Sequence, residues 1–341
     1  MRKHIFTILL AIQLSAISFS AQSVTLIPRE QETRIDVEVN GKLFTSYRWD
    51  EKIRRPVLFP VMSVGGGYIT RGFPIETRGG ETIGHPHQVG VSFSHGNVNG
   101  IDFWNNSPYR TEEELKHMGR IVQRKVLAMK SGIGRAELTV TADWIHPNGK
   151  TLLLETTKYI FNAKGNRRWI DRETVLTANE GDMVFGDSKE GVFAIHLATE
   201  LEMDNQIPIK VTSASGVISD EKSPARFTGN YFNSEGLAGD KIWGTLGKWA
   251  ATTGKVGKDE VTVALLDSPK NHNFPSYMMV RGYGLLAVNP FGQKQFDATK
   301  QERIYTLPSK RSITFWHRLL ILPQKASKEA VEKEYQQYVN K

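Results

Sequence analysis

The chain has 341 residues, 44 lysines and arginines against 36 aspartates and glutamates, a formal net charge of +8 and no cysteine. The missing thiol excludes disulfides, a cysteine nucleophile and a lipid anchor on a lipobox cysteine. Basic and acidic residues are interspersed, as in RIDVEV and GRAELTVTADW, and the densest charged cluster, GNRRWIDRE, carries its own acids, so no basic stripe marks a nucleic-acid partner.

The first segment, MRKHIFTILLAIQLSAISFSAQ, places Arg2 and Lys3 before an apolar stretch from Ile5 to Ile17 and then small or polar residues. That layout predicts a signal peptide over residues 1–21 and a periplasmic or secreted product. The apolar stretch is shorter than the roughly 20 residues of a spanning helix. No later segment approaches one, so no membrane partner is expected once the signal is removed. Residues 22–341 then form a single β-sandwich domain.

Strand signals dominate that domain. TRIDVEVNGKLFTSYRW alternates Ile35, Val37 and Val39 with charged residues and turns at Asn40-Gly41, a favoured hairpin pair. VLFPVM follows. TEEELKHMG has Thr111 and Glu114 at capping-box spacing and predicts a short internal helix. In RAELTVTADWIHPNGKTLLLETTKYIF, Ala136, Leu138, Val140, Ala142 and Trp144 share one face, and Pro147-Asn148-Gly149 makes the turn into a second strand. GVFAIHLATEL, EVTVALLD, GYGLLAVN and SITFWHRLLIL extend the series. The tail SKEAVEKEYQQYV puts Val331, Tyr335, Tyr338 and Val339 on one helical face. Hairpins closed by short turns imply antiparallel pairing. The expected architecture is all-β: a large antiparallel β-sandwich with a short internal helix and a C-terminal helix.

One stretch invites a chemical reading. GHPHQVGVSFSHGNVNGIDFW (84–104) holds three of the nine histidines, His85, His87 and His95. As one extended strand it would align His85, His87, Val89, Val91, Phe93 and His95 on a single face. His85 and His87, two apart, suit a pair flanking one substrate or converging on one metal. His95 joins them only if the strand bends, and Gly90 offers the place. In the following turn, Asn99 and Asp102 could hydrogen-bond sugar hydroxyls while Trp104 stacks on a ring, although turn chemistry is the competing explanation. Glu76 and Arg78 precede the histidines in a glycine-rich loop, where they are either a base and an anchor or a surface ion pair. GDSKEG, with Asp187, Lys189 and Glu190, reads most simply as a polar turn. Arg281 precedes an apolar strand that ends at Asn289, and could anchor an anionic or carbonyl group.

At RGFPIETRGGETIGHPHQVGVSFSHGNVNGIDFW, and again at FGDSKEGVFAIHLATEL, GKWA and DSPKNHNFPSYMMVRGYGLLAVNPFG, the sequence resembles the bacterial PmoA-like or "methane oxygenase" family. His85, His87, His95, Asn99, Gly100, Asp102, Phe103 and Trp104 fit the family's pattern, as do Asp187, Arg281, Tyr283, Gly284, Asn289 and Pro290. The chain departs from it at Gly84, Gln88, Val89, Met278 and Met279. The label does not fit the chemistry, because a membrane methane monooxygenase subunit needs several spanning helices. What the resemblance implies is an exported companion of carbohydrate-degrading and sugar-oxidising systems, with a fold similar to the galactose-mutarotase-like supersandwich.

These readings predict a carbohydrate-active enzyme working on a sugar or oxidised sugar derivative by histidine–carboxylate acid–base chemistry, of epimerase, lyase or hydrolase type. His85, His87, Glu76 and Asp102 are the catalytic candidates. His95, Asn99, Trp104, Arg78, Arg281 and Asn289 are the substrate-binding candidates. No cofactor is required. The alternatives are a divalent metal on His85, His87 and a carboxylate, or a non-catalytic sugar-binding module.

Overall fold

The computed structural model describes residues 22–50, 53–204, 208–222 and 226–340. The signal-peptide expectation for residues 1–21 lies outside them. Two large sheets dominate, one of ten strands and one of eight, and every strand-to-strand pairing among the described residues is antiparallel. The predicted all-β fold is therefore the one observed. Among the described residues no helix is long and apolar enough to cross a membrane.

The hairpins follow from their turns. Arg34–Val39 pairs with Lys42–Arg48 through Asn40 (φ 51°) and Gly41 (φ 73°). Two consecutive positive φ values are what a type I′ turn needs, and asparagine followed by glycine tolerates them best. Arg135–Ile145 pairs with Thr151–Lys164, and its alternate residues Ala136, Leu138, Val140, Ala142 and Trp144 are all buried. Thr111 and Glu114 form the capping box of a one-turn helix, Glu112–Leu115. The C-terminal helix Lys328–Val339 is capped by Ser327 and buries Val331 and Tyr335 in the cluster around Trp249, Leu320 and Leu322.

The main core lies between the two sheets. Phe93 of the ten-stranded sheet packs against Trp144 and Phe315 of the eight-stranded one. A polar network crosses this interior. Arg172, 4 % exposed, donates to Glu155 Oε1 (2.7 Å), Thr174 Oγ1 (2.7 Å) and the Tyr159 hydroxyl (2.5 Å), and stacks 4.6 Å from the Phe93 ring centre. Trp144 Nε1 donates to the other Glu155 oxygen at 2.8 Å.

One expectation is overturned. Residues 84–95 are not a single strand: only Val91–His95 is, and it pairs with Gly191–His196. Residues 85–88 form a turn closed by Gln88 N–H to His85 O at 3.0 Å. His85 (φ 51°) and Gly90 (φ 52°) both adopt left-handed backbone, and Pro86 cannot donate to a ladder. A Cβ at Gly90 would lie 2.4 Å from the Leu58 carbonyl oxygen, so glycine is required where the turn meets the sheet. The histidines thus belong to different elements.

Arg172→Ala should leave Glu155 in the core without its cationic partner, and we expect it to lower unfolding stability by about 3–5 kcal/mol in urea denaturation. Replacing the pair together, as Arg172→Met with Glu155→Gln, should cost clearly less. Equal losses would show that the network is not coupled.

Candidate functional site

Four neighbouring strands of the ten-stranded sheet build the floor of a cleft: Val91–His95, Gly191–His196, Leu285–Asn289 and Ser276–Arg281. Side chains alternate along each, and the register aligns Ser92, Ala194, Ala287 and Met279 in one row. His196, Leu285 and Arg281 form the next. Phe93, Phe193 and Ile195 point instead into the core between the sheets. On the outer face lies a cleft of about 540 Å³, bordered by His85, His87, Gln88 and Asn105 from one side, Lys189 and Glu190 from another, and Met203, Asp240, Met279, Arg281, Gly282 and Tyr283.

The turn after Gly84 delivers both histidines to this cleft. His85 is exposed and stacks flat on Tyr283, with ring centres 4.1 Å apart and planes 9° apart. His87 is 9 % exposed, and its ring centre lies 5.9 Å from that of His85. Two buried arginines hold the turn by its backbone. Arg55 donates to the carbonyls of His87, Phe103 (2.5 Å) and Trp104 (2.7 Å) and to Ser94 Oγ (3.0 Å). Arg71 donates to the His85 carbonyl at 3.2 Å. Burial, reinforced by the Arg55 charge and by His85, pushes the His87 pKa down to about 3. Burial and the charges of Arg71 and Arg281 lower His85 as well. Both rings are therefore neutral at pH 7.

Opposite them, Arg281 stacks on Trp243, its guanidinium carbon 4.4 Å from the ring centre. Among the described residues no hydrogen bond or ion pair ties its guanidinium to another side chain. Glu190 has a raised pKa, chiefly from burial, with Lys189 and Arg281 opposing the rise, and its Oε2 is buried with no described hydrogen-bond partner. The Tyr283 hydroxyl accepts from Gln88 Nε2 at 3.4 Å and is held protonated by burial. A neutral imidazole, a protonated phenol, a carboxyl shifted toward neutrality and a guanidinium stacked on an indole thus face one space. Such a set can bind a polar ligand and transfer a proton.

Of the residues singled out in the sequence, His85, His87 and Arg281 meet here. The others do not. His95 is wholly buried, bonded through Nε2 to the Gly186 carbonyl (2.9 Å) and packed between Phe185 and Phe291, because Val91–His95 turns it into the core. Asp102 caps its own loop, accepting from Trp104 N (2.7 Å) and from Asn105 N (2.9 Å) and Nδ2 (2.7 Å). Asn99 pins the neighbouring turn by bonding Val184 N and Asp182 O. Trp104 is 2 % exposed and packs beneath the cleft with Ala194 and Leu285 instead of offering a stacking face. Asn289 is buried and organises the Phe291–Gly292 turn. Glu76 and Arg78 pair with each other (2.6 Å), while Arg78 also reaches Thr70 O and lies over the Tyr68 ring, outside the cleft. For the metal alternative, no group of three or more His, Asp or Glu among the described residues could hold an ion, so His85 and His87 lack the third ligand it requires.

Glu190, Tyr283, Asp240 and Gln88 were not among the sequence candidates. Glu190 looked like part of a polar turn, and only the GVFAIH strand that follows it, paired beside the histidine-bearing strand, gives away its position.

Fold and cleft together define an antiparallel β-sandwich protein with a ligand-sized site on the outer face of one sheet. More particularly, residues 34–336 match the model of the family of unknown function DUF6807, and the chain belongs to that family. No curated protein matches the sequence. Among solved structures, it is similar to the galactosidase domain of the alpha-galactosidase–sucrose kinase AgaSK (7 % identity, 88 % of this chain and 42 % of that one, TM-score 0.41). It is also similar to the alpha-galactosidase AgaA of Geobacillus stearothermophilus (11 % identity, 69 % and 30 %, TM-score 0.28) and to the Slr1438 protein of Synechocystis (9 % identity, 88 % and 96 %, TM-score 0.28). The chain spans less than half the length of the two galactosidase structures.

Two predictions come from this geometry. Burial depresses the His95 pKa from 6.5 to about 4, so the stability held by its neutral ring is complete above pH 6.5 and is lost as pH falls through 4. The stability advantage of the native protein over His95→Gln should therefore shrink by on the order of 3 kcal/mol between pH 7 and pH 4, as read by urea midpoints. A pH-independent difference would refute the assignment. Arg55→Met should leave three buried carbonyls without their donor and lower stability by about 3 kcal/mol or more. Thermal unfolding measures it.

Proposed function

We propose that the protein is an exported carbohydrate-active enzyme that binds a sugar or oxidised sugar derivative in the cleft and moves a proton on it. The observation that carries this reading is the convergence of Glu190, His87, Tyr283 and Arg281 on one 540 Å³ space. Glu190 is the proton-transferring group, since a carboxyl raised toward the working pH serves best as both acid and base. It takes the part that Glu76 or Asp102 was expected to play.

His87 acts in its neutral form. With a pKa near 3 it is a poor base, and its conjugate acid would be scarce at pH 7. A neutral ring in that position can donate or accept a hydrogen bond at a substrate oxygen. Arg281 anchors a carboxylate or carbonyl oxygen, for which its planar fork is suited. Tyr283 donates to a second oxygen. The layout of residues 1–21 supports export, and the resemblance to the PmoA-like family supports a place among sugar-processing proteins.

A binding module is the second reading, favoured by Gln88 and Met279, which border the cleft where the family pattern has other residues. Proton NMR of the mature protein with saccharides, uronic acids and 3-keto-sugars separates the two. The enzyme reading expects new product signals, reduced by about 100-fold or more in Glu190→Gln while ligand binding persists. Arg281→Ala should weaken binding about tenfold or more. Line broadening without products would establish the binding module, and a panel that is neither bound nor converted would sink both.

A further inference from the structure

Beside the cleft is a second cavity of about 340 Å³. His85 and Tyr283 border both spaces, so their stacked rings form a shared wall, with exposed His85 at its edge. The two spaces differ in chemistry. The cleft presents charged and hydrogen-bonding groups. The second cavity is walled by Ile83, Ile209, Gly84, the Tyr283 ring and the stem of Lys210.

Most of its polar side-chain groups are engaged by one another, the Arg71 Nε being buried without a described partner. Glu202, 2 % exposed, accepts from the Thr82 hydroxyl at 2.5 Å. Thr82 N–H in turn donates to Thr199 Oγ1 at 2.9 Å. Arg71, also 2 % exposed, is bonded to the His85 carbonyl and to Thr82 Oγ1, at 3.2 and 3.5 Å. Groups so largely committed offer few partners to the many hydroxyls of a second sugar ring. The isoleucines and the tyrosine face offer apolar area to a flat group.

We propose that the cleft and this cavity are two halves of one site, and that the cavity takes an aryl aglycone attached to the sugar held in the cleft. The inference rests on the reading of the cleft as a sugar site and names the substrate class as aryl glycosides. A ligand of this kind crosses the edge of His85, which with Tyr283 is common to both halves. That placement accounts for an exposed histidine held in left-handed backbone by a buried arginine.

The test is calorimetry and saturation-transfer NMR on the mature chain with matched methyl and phenyl glycosides of glucose, galactose and glucuronic acid, and with the corresponding disaccharides. For whichever sugar binds, the phenyl form should bind at least ~10-fold more tightly than the methyl form, the worth of burying most of one aromatic ring. Ile209→Asp should reduce that advantage to within about twofold. Ile83→Asp, on the adjacent segment whose N–H donates to the Lys210 carbonyl, should do the same if the first variant folds poorly. Equal binding of methyl and phenyl forms would overturn this inference while leaving the cleft a sugar site. A gain for the disaccharide without one for the phenyl glycoside would overturn it in favour of a second sugar unit. If no sugar binds in any form, the reading of the cleft fails and this inference falls with it.

Discussion

The site depends on one buried guanidinium. Arg55 is 4 % exposed, and its donors go to the carbonyls of His87, Phe103 and Trp104 and to the Ser94 hydroxyl. These four acceptors come from the histidine turn, the loop after Asp102 and the strand beneath. Phe103 N also bonds the strand directly at His95 O, and the cation adds the histidine turn to that pair. Burial lowers the Arg55 pKa only to about 10, with Asp102 opposing the fall, so it stays charged at neutral pH. The same charge is among the causes that keep His87 neutral. A single interaction thus fixes where the imidazole sits and which protonation state it has, and it explains why Asp102 serves the scaffold: its oxygens shape the loop that Arg55 clamps.

Much of the fold was legible in the sequence because local rules coincide with the tertiary solution. Asn40-Gly41 demands its turn, the period-two run from Ala136 to Trp144 demands one buried face, and Thr111 with Glu114 demands a helix start. What was not legible has physical causes. Arg120–Lys130 is an edge strand of the eight-stranded sheet with mostly exposed residues, so no buried face imprints alternation on it. Arg167–Ala178 reads as a charged cluster because its strand alternates charges with core residues, and because Arg172 is itself a core residue satisfied by Glu155.

The site divides along the same line. His85 and His87 stood out by their spacing, and Arg281 by its position before an apolar strand. The strand reading nevertheless failed at Pro86 and Gly90, where a missing donor and a left-handed backbone convert an extended run into a turn. Asn99, Asp102 and Asn289 carry side chains that bond nearby backbone, the habit that makes Asn and Asp common in loops. Residue type alone cannot separate that use from ligand binding. Glu190 and Tyr283 were not read as site residues because they reach the cleft from turns beside strands about a hundred and two hundred residues away in the chain. Only the pairing of Gly191–His196 with Val91–His95 and with Leu285–Asn289 brings them together.

The charge arrangement gives the two spaces a common logic. Arg55, Arg71 and Arg281 all bear on the histidine turn, and each is among the causes that depress His85 or His87. Behind that turn His196 is wholly buried, and burial with Arg71 holds it neutral as well. Glu190 borders the cleft and Glu202 borders the second cavity, and burial raises the pKa of both, Glu202 to about 7. The field around His85 and His87 is therefore cationic, yet the groups able to exchange protons are carboxyls. An oxygen that gains negative charge in the cleft would meet Arg281, already held against an indole face, while buried Arg55 and Arg71, bonded to backbone carbonyls, add their charge through the histidine turn. Little reorganisation would be needed at the moment of proton transfer, which is where a preoriented site lowers a barrier most. The three neutral imidazoles add hydrogen-bonding capacity without adding charge, so the arginines set the sign of the field while the carboxyls set its response to pH.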